Sequence, residues 1–212
     1  RYLSASELQA VMDVELPNYR TGINRDAFVF CAFTGLSHSD VAKLTHADIH
    51  TDDNGDYWII DKRQKTGTQF RVKLLPVAEM IYDRYKNLHL EGNKVFPIKR
   101  YYKTMNMSLR HVARLAGLSF NPTMHLARHT FATTVTLAQG VPLETVSKML
   151  GHKDIATTQI YATMLDQTVS EDMGRMRDKF DSLKVDIKPL PEKPTTFERP
   201  PQPKRGRPKK TK

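Results

Sequence analysis

One cysteine, Cys31, stands in 212 residues. A single thiol excludes a disulfide framework and a cysteine-based zinc site, and its setting in an apolar stretch fits a reducing cytoplasm. Long apolar runs are lacking too. The longest, Ala27 to Phe33, has seven residues, far too few to cross a membrane. Arg1-Tyr2-Leu3-Ser4 carries neither an apolar secretory core nor an initiator methionine, so a piece of a longer, cytoplasmic polypeptide is expected. There is no glycine-rich phosphate loop and no carboxylate cluster suited to magnesium, so no nucleotide or metal cofactor is expected.

What is abundant is positive charge, and its distribution decides its meaning. Of the formal +10, Arg199 to Lys212 carries +7 with no acid. The remainder is only mildly basic, so composition alone does not prove a polyanionic partner for the body of the chain, whereas the tail asks for one. Seven of the twelve prolines fall between Pro189 and Pro208, where apolar residues almost vanish. Such a segment cannot bury enough surface to offset its ordering entropy. The expected organisation is a domain over 1–182 and a disordered, Pro-rich basic tail over 183–212.

Within the domain, Ser4-Ala5-Ser6-Glu7 has capping-box spacing and predicts a helix through about Met12. A second helix is expected over 24–34, stopped by Gly35, and a short third from Ser37 to Leu44. Tyr57 to Ile60 and Phe70 to Leu75 are rich in β-formers and read as a hairpin, joined by a short strand near Ile49. After Pro76 the pattern is helical: 76–89, 101–116, 124–138, 142–150, 155–160 and 163–180. The fold class is mixed α+β, mainly α-helical with a small antiparallel three-stranded sheet.

His125 and Arg128 stand at i and i+3 on one predicted helix, which alone more often means a solvated pair. They do not stand alone. Leu150-Gly151-His152 ends a helix, Tyr161 follows nine residues after His152, and Lys65-Thr66-Gly67 occupies the hairpin turn. Together, Thr34-Gly35-Leu36, Lys65-Thr66-Gly67, HLARHTFAT (125–133) and LGHKDIATTQIYA (150–162) resemble the tyrosine recombinase family of phage-type integrases, chromosome-dimer resolvases and fimbrial invertases. The wording around Ser37 and from Val135 to His152 is most similar to integrases of Bacteroides-type conjugative transposons and mobile elements.

The resemblance implies DNA cleavage and rejoining through a 3′-phosphotyrosine on Tyr161. An attacked phosphodiester gathers charge on its non-bridging oxygens, which positioned donors must hold. Arg128 can grip such an oxygen bidentately, and His125 and His152 supply imidazole donors. His125 also stands as a candidate base for the tyrosine. By resemblance Lys65 is the general acid for the leaving 5′-oxygen, although Lys62 and Arg63 share its hairpin and the register is open. A covalent intermediate conserves the bond energy, so no cofactor is implied. His129 reads as structural, and Asp40 as a support for the site.

One departure matters. The family usually has arginine directly after Thr-Gly-Leu, where this chain has Ser37. Three explanations stay open: a decayed, DNA-binding-only relative, a serine that suffices, or a cation supplied from elsewhere, for which Arg25 is the preferred candidate.

For DNA contact, Lys99, Arg100, Tyr101, Tyr102 and Lys103 interleave cations with aromatics, and Arg110 and Arg114 follow on one helix face. In the tail, Arg205-Gly206-Arg207 within 203–209 resembles an AT-hook, a minor-groove binder, with a non-specific basic tail as the alternative. The partners implied are double-stranded DNA attachment sites, a homo-tetramer on DNA and accessory DNA-bending proteins, with no membrane and a nucleoid-associated location. Two other activities remain in view: a binding module that no longer cuts, and a relative that relaxes DNA without exchanging strands.

Overall fold

The computed structural model describes residues 1–98 and 102–163, without the side chains of 102 and 103. The expected class is what the chain adopts: a helical body with one small sheet, in the order α1 Ala5–Asp13, α2 Tyr19–Thr34, α3 His38–Lys43, β1 Ile49–Thr51, β2 Tyr57–Lys62, β3 Gln69–Lys73, α4 Pro76–Tyr85, α5 Tyr102–Leu115, α6 Met124–Thr130, α7 Leu143–Leu150 and α8 Ala156–Ala162. The sheet is antiparallel, ordered β1-β2-β3, with Ile59 of β2 opposite both Ile49 and Val72.

Helix α2 is central among the described residues, packing against α1, α4, α5 and α6. Phe28 and Phe30 are fully buried, and Phe30 meets Phe96 edge-on at 5.0 Å. The helix starts at Tyr19, earlier than the sequence pattern suggests. Gly22 and Asn24 are poor helix formers that mask its first turn. Asn18 supplies the cap, its side-chain oxygen accepting from Thr21 N at 2.9 Å. The Ser4–Glu7 capping box opens α1 as expected.

The stretch expected as one helix over 124–138 changes register along its length. After α6 it widens into a π-helix over Phe131–Thr136 and tightens to a 3₁₀ turn that Gly140 closes. Threonine hydroxyls brace the wide turn: Thr133 donates to His129 O at 2.7 Å, and Thr136 to Phe131 O and Ala132 O. Single π-turns recur at functional sites because they re-aim the side chains beside them. Here the residues beside it are Arg128 and His129.

Two helices end on glycine in the left-handed conformation, α2 at Gly35 (φ +71°) and α7 at Gly151 (φ +61°). Neither position accepts a side chain. A Cβ on Gly35 would lie 2.6 Å from the Phe131 ring, and one on Gly151 would lie 3.0 Å from Arg63 Nε. These close approaches bring the carbonyl ends of two helices together, and the site is built there.

Candidate active site

Two guanidiniums share the converged helix ends. Arg128, on α6, donates from Nη1 to Gly35 O and from Nη2 to Leu150 O, both at 2.7 Å. Arg63, just after β2, donates from Nε to Leu150 O at 2.7 Å and from Nη2 to Met149 O at 3.1 Å and Gly35 O at 3.5 Å. Carbonyls at a helix C-terminus carry partial negative charge, so they hold cations without neutralising them. The carboxylate that pairs with Arg63 is Asp40, at 2.9 Å.

Asp40 is also the hub for Ser37. Ser37 caps α3, and its hydroxyl donates to Asp40 Oδ2 at 2.7 Å, while Gln64 N donates to Oδ1 at 3.0 Å. Burial pushes the Asp40 carboxyl up, but these hydrogen bonds and the Arg63 charge outweigh it and hold it below the usual carboxylate range. Burial, then the neighbouring Arg128 charge, lowers Arg63 to about 10. Arg128 is lowered as well, chiefly by burial. Neither loses its proton near neutrality, so the cleft keeps its cations.

The histidines are arranged around Arg128. His152 Nε2 lies 2.9 Å from Arg128 Nη2, and its Nδ1 lies 2.7 Å from Thr158 Oγ1. His125 and His129 face each other across one turn of α6 with Nε2 atoms 2.8 Å apart, so one donates and the other accepts. Burial, then the neighbouring charges, lowers His129 and His152 to about 4, and His125 is lowered by burial and then by Arg128. All three are therefore neutral near pH 7.

Tyr161, on α8, is 3% exposed. Its ring meets His129 edge-on at 5.1 Å and stacks nearly parallel to His152 at 6.3 Å, and its phenol lies close enough to Arg128 to interact with it electrostatically. A cavity of about 420 Å³ lies on the other side of Arg128 and His152, lined by Ser37, Asp40, Arg63, Lys65, His125, Arg128 and His152 among others. Lys65 lies exposed on the hairpin turn at its rim. The sequence-derived group Tyr161, Arg128, His125, His152, Lys65 and Ser37 thus comes together in one place.

Arg25 does not join it. Its Nε pairs with Asp26 at 2.8 Å and its Nη1 donates to Met12 O at 2.7 Å, tying α2 to α1 and lining a different recess with Arg84 and Met80. The apolar stretch that made Arg25 look like a buried site cation hides an adjacent carboxylate that takes it. The cation beside Arg128 is Arg63, whose place on the hairpin next to Lys65 does not by itself single it out in the sequence. His129, read as structural, touches both His125 and Tyr161. Thr158 went unremarked. Of the expected DNA contacts, Lys99, Arg100, Arg205, Gly206 and Arg207 lie outside the described residues, as does the expected helix over 163–180. Lys103 falls on α5 without a described side chain. Arg110 and Arg114 are exposed on α5 and border a shallow recess with Ser119 and Asn121.

The sequence model of the phage integrase family matches residues 1–168. The chain belongs to the phage integrase family. Among curated members it is similar to the tyrosine recombinase XerA of Saccharolobus solfataricus, 31% identical over 132 residues, covering 62% of this chain and 43% of that protein. It is also similar to the tyrosine recombinase XerD of Lacticaseibacillus casei, 28% identical over 181 residues, covering 78% of this chain and 59% of the relative. The chain therefore spans about half the length of these relatives. Its fold is that of the tyrosine recombinase catalytic domain: a crystal structure of XerA recombinase superposes with a TM-score of 0.67 at 23% identity, covering 84% of this chain and 65% of that one. A lambda integrase dimer bound to a core site gives a TM-score of 0.59 at 19% identity, over 76% of this chain and 58% of the other.

Proposed function

We propose that this chain is the catalytic domain of a site-specific DNA recombinase that integrates and excises a mobile element, cutting one strand at a time through a 3′-phosphotyrosine on Tyr161. The observation that carries the reading is a buried Tyr161 packed against His129 and His152 beside a cleft where, among the described residues, two guanidiniums, buried Arg63 and half-buried Arg128, face one carboxylate, Asp40. A positive charge held by carbonyls and presented to a cleft is what an in-line phosphodiester attack requires.

The residues divide the work as follows. Arg128 turns from its carbonyl anchors to a non-bridging oxygen. Arg63 takes the part of the arginine that Ser37 replaces. Four of its five N–H donors meet protein acceptors, so it acts mainly through its charge. His125, neutral near pH 7, accepts the Tyr161 proton as the Tyr161 oxygen bonds to phosphorus. The phosphorus–5′-oxygen bond breaks, and Lys65 protonates the leaving oxygen. Asp40 holds Arg63 and Ser37 in place. Tyr161 is buried behind the cleft lining, against His152, so attack requires its ring to come forward, and α8 is short enough to shift with it.

The partners in this reading are duplex attachment sites and further copies of the chain on them as a homo-tetramer, with DNA-bending accessory proteins. Exposed Arg110 and Arg114 support phosphate contact by α5. The tail over 183–212, with Arg205-Gly206-Arg207, adds a minor-groove or non-specific contact. The wording around Ser37 and from Val135 to His152 is the feature on which a Bacteroides-type subtype rests. Ser37 is also what favours the second reading, a DNA-binding module that no longer cuts, and Arg63 weighs against it.

The test is incubation with a nicked suicide attachment-site duplex. A covalent protein–DNA adduct is expected from the wild type and none from Tyr161→Phe. A wild type that binds the duplex without forming an adduct contradicts the reading and favours the binding module.

A further inference from the structure

His152 is held at both ring nitrogens by chemically unequal partners. Nε2 faces Arg128 Nη2 at 2.9 Å, and Nδ1 faces Thr158 Oγ1 at 2.7 Å. A guanidinium has donors only, so Nε2 presents a lone pair and the proton of the neutral ring sits on Nδ1. Thr158 Oγ1 is then the acceptor. Thr158 is fully buried on α8, three residues before Tyr161, so water does not substitute for its hydroxyl.

We propose that Thr158 is a positioning residue that sets the tautomer of His152 and, through it, the placement of Arg128. The proposal rests on the recombinase reading. Which imidazole nitrogen carries the proton is decided by the hydrogen bond at the other nitrogen. Without the Thr158 hydroxyl, Nδ1–H is buried with no acceptor, and the ring relieves this by carrying its proton on Nε2 instead. There it meets Arg128 Nη2, donor against donor, and one of the anchors of Arg128 is lost. His152 also stacks on Tyr161, so a turned ring disturbs the nucleophile as well. With the hydroxyl present, Nδ1–H stays on Thr158 throughout. Nε2, released when Arg128 turns to a phosphate oxygen, accepts a proton from solvent and donates it in a hydrogen bond to that phosphate.

Two variants of the full chain test this. Thr158→Val removes the hydroxyl at nearly constant volume, and Thr158→Ser keeps it. Long-range proton–nitrogen correlation spectra of DNA-free protein labelled with ¹⁵N-histidine read the tautomer, with His152 assigned by the signal missing in His152→Gln. The expected result is Nδ1–H in wild type and in Thr158→Ser, and Nε2–H in Thr158→Val. Single-turnover cleavage at saturating suicide duplex should fall about 10- to 100-fold in Thr158→Val with half-saturation unchanged, and recover to within about threefold in Thr158→Ser. A wild-type His152 with its proton on Nε2, or a Thr158→Val that keeps the wild-type tautomer, overturns the proposal. A Thr158→Val that changes tautomer yet cuts at the wild-type rate overturns the link to Arg128. If the tautomers behave as expected but wild type forms no adduct, the recombinase reading fails and the tautomer assignment stands.

Discussion

Two buried aspartates, Asp26 and Asp40, each face arginine, and the two clusters serve different ends. Asp26, 3% exposed, accepts from Arg25 at 2.8 Å, Arg84 at 2.6 Å and the Tyr85 hydroxyl at 2.9 Å. Its second cation, Arg84, is 56% exposed, so water screens what the carboxylate leaves over. Asp40, 2% exposed, faces Arg63, whose side chain is 6% exposed, and beside that pair lies Arg128, held by backbone carbonyls and by His152. The first cluster ties α1, α2 and α4 together and is electrostatically finished. The second keeps a cation in reserve behind low-dielectric walls, which is a place for an anion to complete. A buried arginine–aspartate contact therefore marks a site only where the surplus cation is shielded from water rather than screened by it.

Removing each carboxylate gives the widest separation between the clusters. Asp40→Ala strands Arg63 in the interior and should cost about 3–5 kcal/mol by chemical denaturation. Asp26→Ala lets Arg84 return to water and leaves Arg25 its bonds to the Val11 and Met12 carbonyls, so it should cost less, about 1–3 kcal/mol, mostly for the unsatisfied Tyr85 hydroxyl. Equal losses would erase the distinction.

Two glycines of the same helical region sharpen it at the next level. Gly35→Ala places a Cβ 2.6 Å from Phe131 at φ +71°, so a loss of about 2–4 kcal/mol is expected. Cleavage should fall with it, since both guanidiniums use Gly35 O. At Gly22 the nearest atom to a new Cβ is 3.9 Å away, so Gly22→Ala should leave cleavage intact and stabilise α2 by about 0.5–1 kcal/mol. Loss of cleavage in both, or in neither, would show that the helix end has no special part in the site.

The smallest of these effects is a pH dependence confined to the cleft. His129 and His152 titrate near 4 when folded, against an ordinary value of 6.5. The unfolded chain therefore takes up their protons first as pH falls. Stability should be complete above about 6.5 and decline towards 4. His125 and His38 are shifted in the same direction. Denaturation midpoints across this range should fall less steeply in His129→Gln than in wild type, and an unchanged slope would refute the assignment.

Much of the cleft was legible because its signals are local. His125 and Arg128 share one helical turn, and LGH and IY each sit within one helix and its cap. The same holds for the glycine stops at 35 and 151 and for the Ser4 capping box. What stayed hidden depends on partners distant in sequence. Arg63 is defined by carbonyls 28 and 87 residues away, and the hairpin register that aims it is not written in its own neighbours. Arg25 misled because an apolar run suggests a buried, waiting cation, while the adjacent Asp26 was free to take it. The roles of His129 and Thr158 follow from α8 packing on α7 and on the π-helical turn after α6, which no spacing announces. The early start of α2 was missed because Gly22 and Asn24 weaken the helical pattern that Asn18 nevertheless caps.

The exchange of Arg25 for Arg63 is the central claim, and one measurement addresses it most directly: the single-turnover rate of adduct formation on a nicked suicide duplex by wild type, Arg63→Ala and Arg25→Ala. The account predicts a loss on the order of 100- to 1,000-fold for Arg63→Ala and a wild-type rate for Arg25→Ala. Arg63→Lys should restore little of the loss, because an ammonium cannot hold Asp40, Leu150 O and Met149 O at once. An Arg63→Ala protein that folds and cuts at the wild-type rate, or an Arg25→Ala protein that does not cut, would contradict it.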